Sequence, residues 1–338
     1  MLEHWQSSWY IISLSPTRPS ALEPIPKHKF TKAQEYPDGT REDFLSKCES
    51  GAFDGVTALY RSNDSTKVTG PFDATVAAAL PASLKFIAHN GAGYDTIDVG
   101  AFTARGIAIA NTPTAVNDAT ADIAVFLMLG ALRRATAPLL AAQRGGWRGA
   151  RYELGHDPRG KTLGVLGMGG IGRNMAAKAR AFGMTLQYHN RRRLSPEEEE
   201  GAVYVSFEEL LRTSDVFSLN LGLSEQTRHI IGAKEFAMMK EGVVVVNTAR
   251  GPLIDEEALV QALKEGKVWG AGLDVFEEEP KIHPELLDNE KVFLLPHLGT
   301  STFETQREME LLVLENLKLA LTEGRLKTQV PEQKGAKL

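Results

Sequence analysis

Cysteine, excess basic charge and long hydrophobic runs are all scarce in this sequence of 338 residues. Cys48 is the single cysteine; this excludes an intrachain disulfide and a cysteine-built zinc or iron–sulfur centre, and no metal is predicted. Lys and Arg number 38 against 43 Asp and Glu, for a net charge of −5, so no nucleic-acid partner is expected. The strongest apolar run, residues 123–132, falls far short of the roughly 18–20 residues of a membrane span, so no membrane partner is expected. The composition predicts a soluble enzyme of a reducing compartment.

The two ends of the chain bear on localisation. Residues 1–26 lack the basic start and the longer apolar core of a secretory signal peptide. The last three residues, Ala336, Lys337 and Leu338, differ by one substitution from the S-K-L peroxisomal signal. A cytoplasmic location is therefore predicted, with a peroxisomal one as the alternative.

The order of strand-like and helix-like segments predicts the fold class. The length predicts two domains, and from Lys161 onward apolar strands alternate with helices. Residues 243–246 are four consecutive valines, which predicts a strand buried on both faces, as in a parallel sheet. A helix over about residues 115–134 separates this series from an earlier, less regular one, and a capping box of Ser301 and Glu304 is predicted to start a last helix. The pattern is typical of doubly wound α/β domains.

A glycine-rich loop lies between a predicted strand and a predicted helix. It has the form G-x-G-x-x-G and consists of Gly167, Met168, Gly169, Gly170, Ile171 and Gly172. The glycines permit a tight turn, a close approach to a pyrophosphate and close helix–strand packing, and the helix offers unpaired N–H groups to the phosphates. This context predicts a dinucleotide site.

The end of the next strand bears on which dinucleotide binds. NAD sites usually place a carboxylate there to bind the ribose 2′-hydroxyl, whereas this chain has Asn190 followed by Arg191, Arg192 and Arg193. An amide and guanidinium groups suit a 2′-phosphate, so NADP(H) is the preferred cofactor and NAD(H) a possible one. The alternative is that the arginines balance the glutamates at 197–200.

Three ionisable residues follow the ends of predicted strands, where open α/β sheets bind their ligands. They are Arg250, Glu279 and His297. Glu279 is chosen over its two preceding glutamates only by its place before Pro280. Each residue alone is compatible with a surface ion pair or a loop contact, but together an arginine, a carboxylate and an imidazole can bind a 2-keto acid and deliver a proton to it.

These motifs resemble those of the D-isomer-specific 2-hydroxyacid dehydrogenases, and more narrowly those of their glyoxylate/hydroxypyruvate reductase-like fungal branch. The matching stretches run in the family order over residues 89–95, 111–113, 167–172, 247–251, 272–280 and 296–300. The resemblance implies two Rossmann-like doubly wound parallel-sheet domains. The NAD(P)-binding domain, residues 114–300, would be inserted into a flavodoxin-like substrate domain of residues 1–113 and 301–338, with the active cleft between them.

The resemblance also implies residue roles. Arg250 would hold the substrate carboxylate and polarise the keto oxygen, His297 would be the acid in reduction and the base in oxidation, and Glu279 would raise the pKa of His297. Backbone N–H groups near Ala92 and Gly93 would bind the other side of the carboxylate. Asp274 would hold the nicotinamide carboxamide. The remaining implied contacts are to the cofactor, from Leu221, Thr248, Ala249, His297 and Gly299, and to the substrate, from Tyr60.

The activity implied is an NADPH-preferring reduction of 2-keto acids to D-2-hydroxy acids. Glyoxylate, hydroxypyruvate or a bulkier 2-keto acid remain open as the substrate. The alternative is a dinucleotide-sensing, corepressor-like binding protein on the same fold. The partner implied is a second copy of the chain, bound through the 115–134 helix. Trp147 resembles a residue that in some relatives enters the neighbouring active site, and ordinary interface packing is the alternative.

The beginning of the chain departs from the family pattern. Relatives usually open with a short apolar strand before the stretch that corresponds to residues 4–9, and here that strand has almost no sequence to form it. Either it is missing, through truncation or an alternative start, or residues 10–14 substitute for it.

Overall fold

The computed structural model describes residues 10–14, 32–35, 38–149, 152–287 and 289–336, the first two ranges by their backbone alone. The predicted segment 4–9, and Lys337 and Leu338 of the candidate targeting signal, lie outside the described residues. The chain divides into two compact units. Unit 1 is Met1–Ala115 with Thr302–Leu338, and unit 2 is Val116–Ser301.

Unit 1 contains a parallel sheet of five strands in the order β2-β1-β3-β4-β5. The strands are β1 Tyr10–Leu14, β2 Lys32–Glu35, β3 Ala58–Ser62, β4 Phe86–Asn90 and β5 Ala108–Ala110. This order is the flavodoxin-like one. Of the two alternatives for the first strand, the structure shows the second, because Tyr10–Leu14 pairs with both β2 and β3 as an inner strand.

Helices cover both faces of this sheet. They are α1 Arg41–Glu49, α2 Thr66–Thr69, α3 Ala74–Ala79, α4 Val99–Ala104 and α13 Phe303–Glu323. Phe44, Phe72 and Phe102 stack in one core cluster, while α13 packs Val313 and Leu317 in a separate cluster on Tyr60. This burial is the main stabilising term for the unit.

The predicted start of the last helix was wrong by one residue. The cap is Thr302, whose extended backbone lets its hydroxyl accept the Thr305 N–H, and not Ser301. The reason is that the Ser301 N–H donates to the Leu298 carbonyl in the preceding turn. Ser301 is thus held in that turn, and the side chain that caps the helix comes from the next residue.

Unit 2 contains a parallel sheet of seven strands in the order β12-β11-β10-β9-β6-β7-β8. The strands are β6 Thr162–Leu166, β7 Thr185–His189, β8 Val203–Tyr204, β9 Val216–Leu219, β10 Val243–Asn247, β11 Val268–Leu273 and β12 Val292–Leu294. All of β10 is buried, which confirms the prediction from its valines. The strand order reverses between β6 and β9, the place where doubly wound sheets bind ligands.

Two layers of helices sandwich this second sheet. The helices are α5 Asn117–Leu132, α6 Thr136–Gln143, α7 Gly170–Ala181, α8 Pro196–Glu199, α9 Phe207–Thr213, α10 Ala233–Met238, α11 Glu256–Glu265 and α12 Pro284–Leu287. The α5 and α7 helices share one hydrophobic cluster, and α9, α10 and α11 share another. The predicted doubly wound α/β class is confirmed.

Two further observations concern membranes and metals. No single helix of the described ranges has the length and apolar character to cross a membrane; α5 and α6 meet these criteria only as a pair, which is bent by 87°. In the same ranges, no group of three or more His, Cys, Asp and Glu side chains could hold a metal ion.

Candidate active site

The glycine-rich loop connects β6 to α7. Gly167 has φ +96°, and a Cβ there would lie 2.7 Å from the Asn220 carbonyl oxygen. A Cβ on Gly172 would collide with the Gly167 carbonyl oxygen. At Gly169, in contrast, a Cβ would meet nothing within 4 Å, and no side chain caps the helix that follows. The open space and the uncapped first turn fit a dinucleotide pyrophosphate.

Buried polar atoms lie at the neighbouring strand ends. The Oδ1 of Asn220, after β9, and the Oγ1 of Thr248, after β10, are buried without a hydrogen-bond partner in the part of the chain that the structure describes. Buried polar atoms in proteins are nearly always paired, so these two orphans are consistent with a ligand at the switch point. Leu221, the next residue along, lies against Gly167, and its predicted cofactor contact fits this position.

Asn190 is bonded to the glycine-rich loop. Its Oδ1 accepts the Met168 N–H at 2.7 Å, and its carbonyl accepts the Tyr204 hydroxyl at 3.2 Å. The residue thus fixes the loop, a task that sequence reasoning did not assign to it.

The three arginines after Asn190 separate into two groups. Arg193 donates to Glu199 from Nε at 2.7 Å and from a terminal nitrogen at 3.2 Å. For Arg193, the alternative of balancing the glutamates is therefore what the structure shows. Arg191 and Arg192 are exposed, and neither has a side-chain hydrogen bond or ion pair with any described residue. Their guanidinium groups are available to an anionic ligand.

His297 and Glu279 form a hydrogen-bonded pair. Nδ1 of His297 lies 2.8 Å from Oε2 of Glu279, and Oε1 of Glu279 accepts the Phe276 N–H at 3.0 Å. Glu277 instead bonds His229, so the structure pairs His297 with the glutamate that precedes Pro280.

The pair shifts both pKa values. The hydrogen bond that His297 donates to Glu279 raises the pKa of His297 above its ordinary value, although burial opposes it. Burial alone would raise the pKa of Glu279, but the hydrogen bond and the charge of His297, with the charge of Arg250, outweigh it and hold that pKa low. The pair therefore favours the protonated form of the imidazole.

Asp274 holds the backbone around His297. Its carbonyl accepts the His297 N–H at 2.8 Å, and its carboxylate accepts the N–H groups of Leu298 at 2.6 Å and Gly299 at 2.8 Å. Burial raises the pKa of this carboxyl group. His297 itself has φ +57°, a conformation that costs about 1–2 kcal/mol outside glycine, and these bonds offset that cost. A contact of Asp274 with nicotinamide stays a prediction.

The Arg250 loop packs against the Glu279 loop. Asn247 accepts the Ala249 N–H at 3.0 Å and donates to the Arg250 carbonyl at 2.8 Å. The next residue, Gly251, lies so close to the Phe276 backbone that a Cβ would collide with it. The backbones of the two loops are thus in close contact. The positive charge of Arg250 acts on both members of the His–Glu pair. Asn247 was missed by sequence reasoning, although an Asn at a strand end that bonds the N–H two residues on is a known turn signal.

The candidate substrate residues of unit 1 are in different environments. Tyr60 is 5% exposed, and its hydroxyl lies 2.5 Å from Glu310 and accepts from Asn90 at 2.8 Å. Its contact with substrate stays a prediction. Ala92 and Gly93 are partly exposed in the loop after β4. In unit 2, Trp147 is 76% exposed.

The fold and the site define a dinucleotide-dependent oxidoreductase. A glycine-rich loop lies at the switch point of a doubly wound sheet, and an arginine, a glutamate and a histidine follow its neighbouring strands. Comparison with known proteins agrees: the family model "D-isomer specific 2-hydroxyacid dehydrogenase, NAD binding domain" matches residues 125–299.

Close relatives cover nearly the whole chain. The 4-methyl-2-oxopentanoate reductase A of Aspergillus oryzae is 63% identical over 300 residues, 89% of this chain and 91% of that protein. A glyoxylate reductase structure from Paecilomyes thermophila has a TM-score of 0.93 and 59% identity, covering 96% of this chain and 99% of that one. An NADPH-dependent glyoxylate/hydroxypyruvate reductase from Sinorhizobium meliloti, in complex with NADP and malonate, has a TM-score of 0.83 and 29% identity, covering 96% and 98%.

The chain therefore belongs to the D-isomer specific 2-hydroxyacid dehydrogenase family. It is an oxidoreductase similar to the fungal glyoxylate reductase-like members, and unit 2 is its nicotinamide-dinucleotide-binding domain.

Proposed function

We propose that this protein reduces 2-keto acids to D-2-hydroxy acids with NADPH, and that His297 supplies the proton. The observation that carries the proposal is the 2.8 Å bond between His297 and Glu279 within the field of Arg250. The names of the relatives, a 4-methyl-2-oxopentanoate reductase and a glyoxylate reductase, support the substrate class.

The division of labour follows from the chemistry of each group. Glu279 bonds Nδ1 of His297, which leaves Nε2 as the atom that delivers the proton. The guanidinium group of Arg250 binds the keto acid and polarises its carbonyl oxygen. N–H groups at Ala92 and Gly93 bind the carboxylate. The dinucleotide supplies the hydride when bound.

The proposed NADPH preference rests on the residues after β7. The amide of Asn190 does not repel a 2′-phosphate, and Arg191 and Arg192 have no competing partners within the described ranges. The relative that binds NADP is named an NADPH-dependent reductase.

We also propose a homodimer formed through the α5 region. Large apolar side chains are exposed there, among them Phe126 at 52%, Leu139 at 48% and Leu154 at 80%. An exposed apolar surface of this kind is typical of a subunit interface. Light scattering after size exclusion should give twice the chain mass, and a monomer would contradict this part of the proposal.

The test of the chemistry is His297→Gln. The variant keeps a hydrogen-bonding side chain but cannot deliver the proton, so kcat for 2-keto acid reduction should fall roughly 10²–10⁴-fold. Binding of NADPH, followed by fluorescence, should fall far less than kcat, because Asp274 and not the imidazole organises the loop. A near-normal kcat would remove His297 from the mechanism.

A further inference from the structure

The loop of residues 91–93 follows β4 and has all three of its carbonyl oxygens hydrogen-bonded. The donors come from two neighbouring strand ends: the Thr112 N–H to residue 91 at 3.0 Å, Nδ2 of Asn111 to residue 92 at 2.8 Å, and Nε2 of His89 to residue 93 at 3.0 Å. Since a carbonyl acts only as an acceptor, each bond fixes the direction of one peptide unit.

Fixing the carbonyls also fixes the N–H groups. In a trans peptide the C=O and the following N–H point in opposite directions, so the N–H groups of Ala92, Gly93 and Tyr94 point away from the three donors. No described residue accepts from Ala92 N–H or Gly93 N–H. The loop is thus held in a form that offers adjacent N–H groups to an anion.

A buried arginine sets the tautomer of His89. Arg61 has no exposed surface, and its terminal nitrogen Nη1 lies 3.0 Å from Nδ1 of His89 on the adjacent strand. A guanidinium group only donates, so Nδ1 must accept, and the ring proton must be on Nε2. His89 can then donate that proton to the Gly93 carbonyl.

Arg61 remains charged in this position. Burial lowers its pKa to about 10, which still leaves it protonated at neutral pH, and the charge of Asp95 supports the ionised form. Its other terminal nitrogen donates to the Thr96 hydroxyl at 2.8 Å, and its guanidinium lies 4.9 Å from the centre of the Phe72 ring. A buried positive charge behind the loop also favours an anion in front of it.

We propose that Arg61 and His89 are positioning residues for the substrate carboxylate. Arg61 holds His89 in the Nε2-protonated form, and His89 fixes the peptide between Gly93 and Tyr94, so that the Tyr94 N–H faces the anion beside those of Ala92 and Gly93. The inference rests on the proposed function, because it assigns the 2-keto acid carboxylate as the anion. Neither residue takes part in the chemical step.

Substitutions of His89 and Arg61 test the proposal. His89→Leu and Arg61→Met should each raise the KM for the 2-keto acid and the Kd of oxamate, a keto acid analogue, by roughly 10-fold to 100-fold, the worth of a hydrogen bond to a charged group. The carboxylate is bound equally well in the substrate complex and in the transition state, so kcat should change far less. His89→Gln, whose amide can both accept from Arg61 and donate to Gly93, should stay within about 3-fold of wild type.

The control is Arg105→Met, because Arg105 also bonds backbone carbonyls in unit 1, including that of Leu80 at 2.9 Å. This variant should leave the KM for the 2-keto acid and the Kd of oxamate unchanged. Normal KM and oxamate binding in His89→Leu would overturn the proposal, as would a Gln variant as impaired as the Leu variant. If His89→Leu and Arg61→Met do not fold, Asn111→Ala decides by the same two constants. A wild-type protein that reduces no 2-keto acid would instead contradict the proposed function.

Discussion

Two loops of this molecule present backbone N–H groups after a parallel strand, and they are built differently. The loop of residues 167–172 packs so closely that only glycine fits at two of its positions, because side chains at Gly167 and Gly172 would collide with carbonyl oxygens. The loop of residues 91–93 is held by donors to each of its carbonyls. Packing at the glycines, together with the bond from the Met168 N–H to Asn190, sets the first loop, and hydrogen bonds to the carbonyls set the second.

The difference has consequences for how each loop fails. A steric loop tolerates no added methyl group at its packed glycines, and it is insensitive to protonation. A hydrogen-bonded loop depends on the tautomer and charge of residues on other strands. Substitutions in the first loop should therefore affect cofactor binding, and substitutions around the second should affect substrate binding.

The largest effect on cofactor binding is expected for Gly172→Val. The added side chain must displace the Gly167 carbonyl, and a displacement of about 1 Å in a binding site costs on the order of 100-fold, so NADPH affinity should fall by about that factor. Isothermal titration with NADPH measures it. Gly169→Ala is the matched control for packing, because its Cβ meets open space; it should unfold at the wild-type temperature. Normal NADPH affinity in Gly172→Val would show that the loop is not sterically fixed.

The pH profile is expected to give the next largest effect. Reduction needs protonated His297, and Glu279 raises its pKa, so kcat/KM should be constant below that pKa and fall tenfold per pH unit above it. Glu279→Gln removes the anionic partner, which lowers the pKa and moves the fall to lower pH. The activity at neutral pH should therefore drop. If Glu279→Gln had the same pH profile as the wild type, Glu279 would not set the pKa of His297.

A smaller and more selective effect is expected for Arg191→Ala. The loss of a charge-assisted bond to a 2′-phosphate should raise the KM for NADPH about 10-fold and leave that for NADH unchanged. Asn190→Ala is the contrast, because Asn190 bonds Met168 in the loop itself; it should weaken both cofactors by a similar factor, about 5-fold. Equal effects of Arg191→Ala on the two cofactors would contradict the NADPH preference.

The same contrast explains how much the sequence could predict. The glycine-rich loop is recognisable because its determinants are glycines a few residues apart, and the fold class follows from strand–helix alternation. The donors to the 91–93 loop are not recognisable in this way, because Asn111 and His89 reach it through side chains whose directions only the fold sets, and Arg61 acts on it only through His89. Arg193 shows the same limit, since its pairing with Glu199 depends on a short helix placing that carboxylate beside it.

The most direct test of the central claim compares a 2-keto acid with the corresponding ketone that lacks the carboxylate. The measurement is the rate of NADPH oxidation by the wild-type protein with each compound at matched concentrations. If Arg250 and the 91–93 loop bind the carboxylate, the keto acid is reduced and the ketone is not. Equal rates with the two compounds, or no oxidation of NADPH with any 2-keto acid, would contradict this account of the protein.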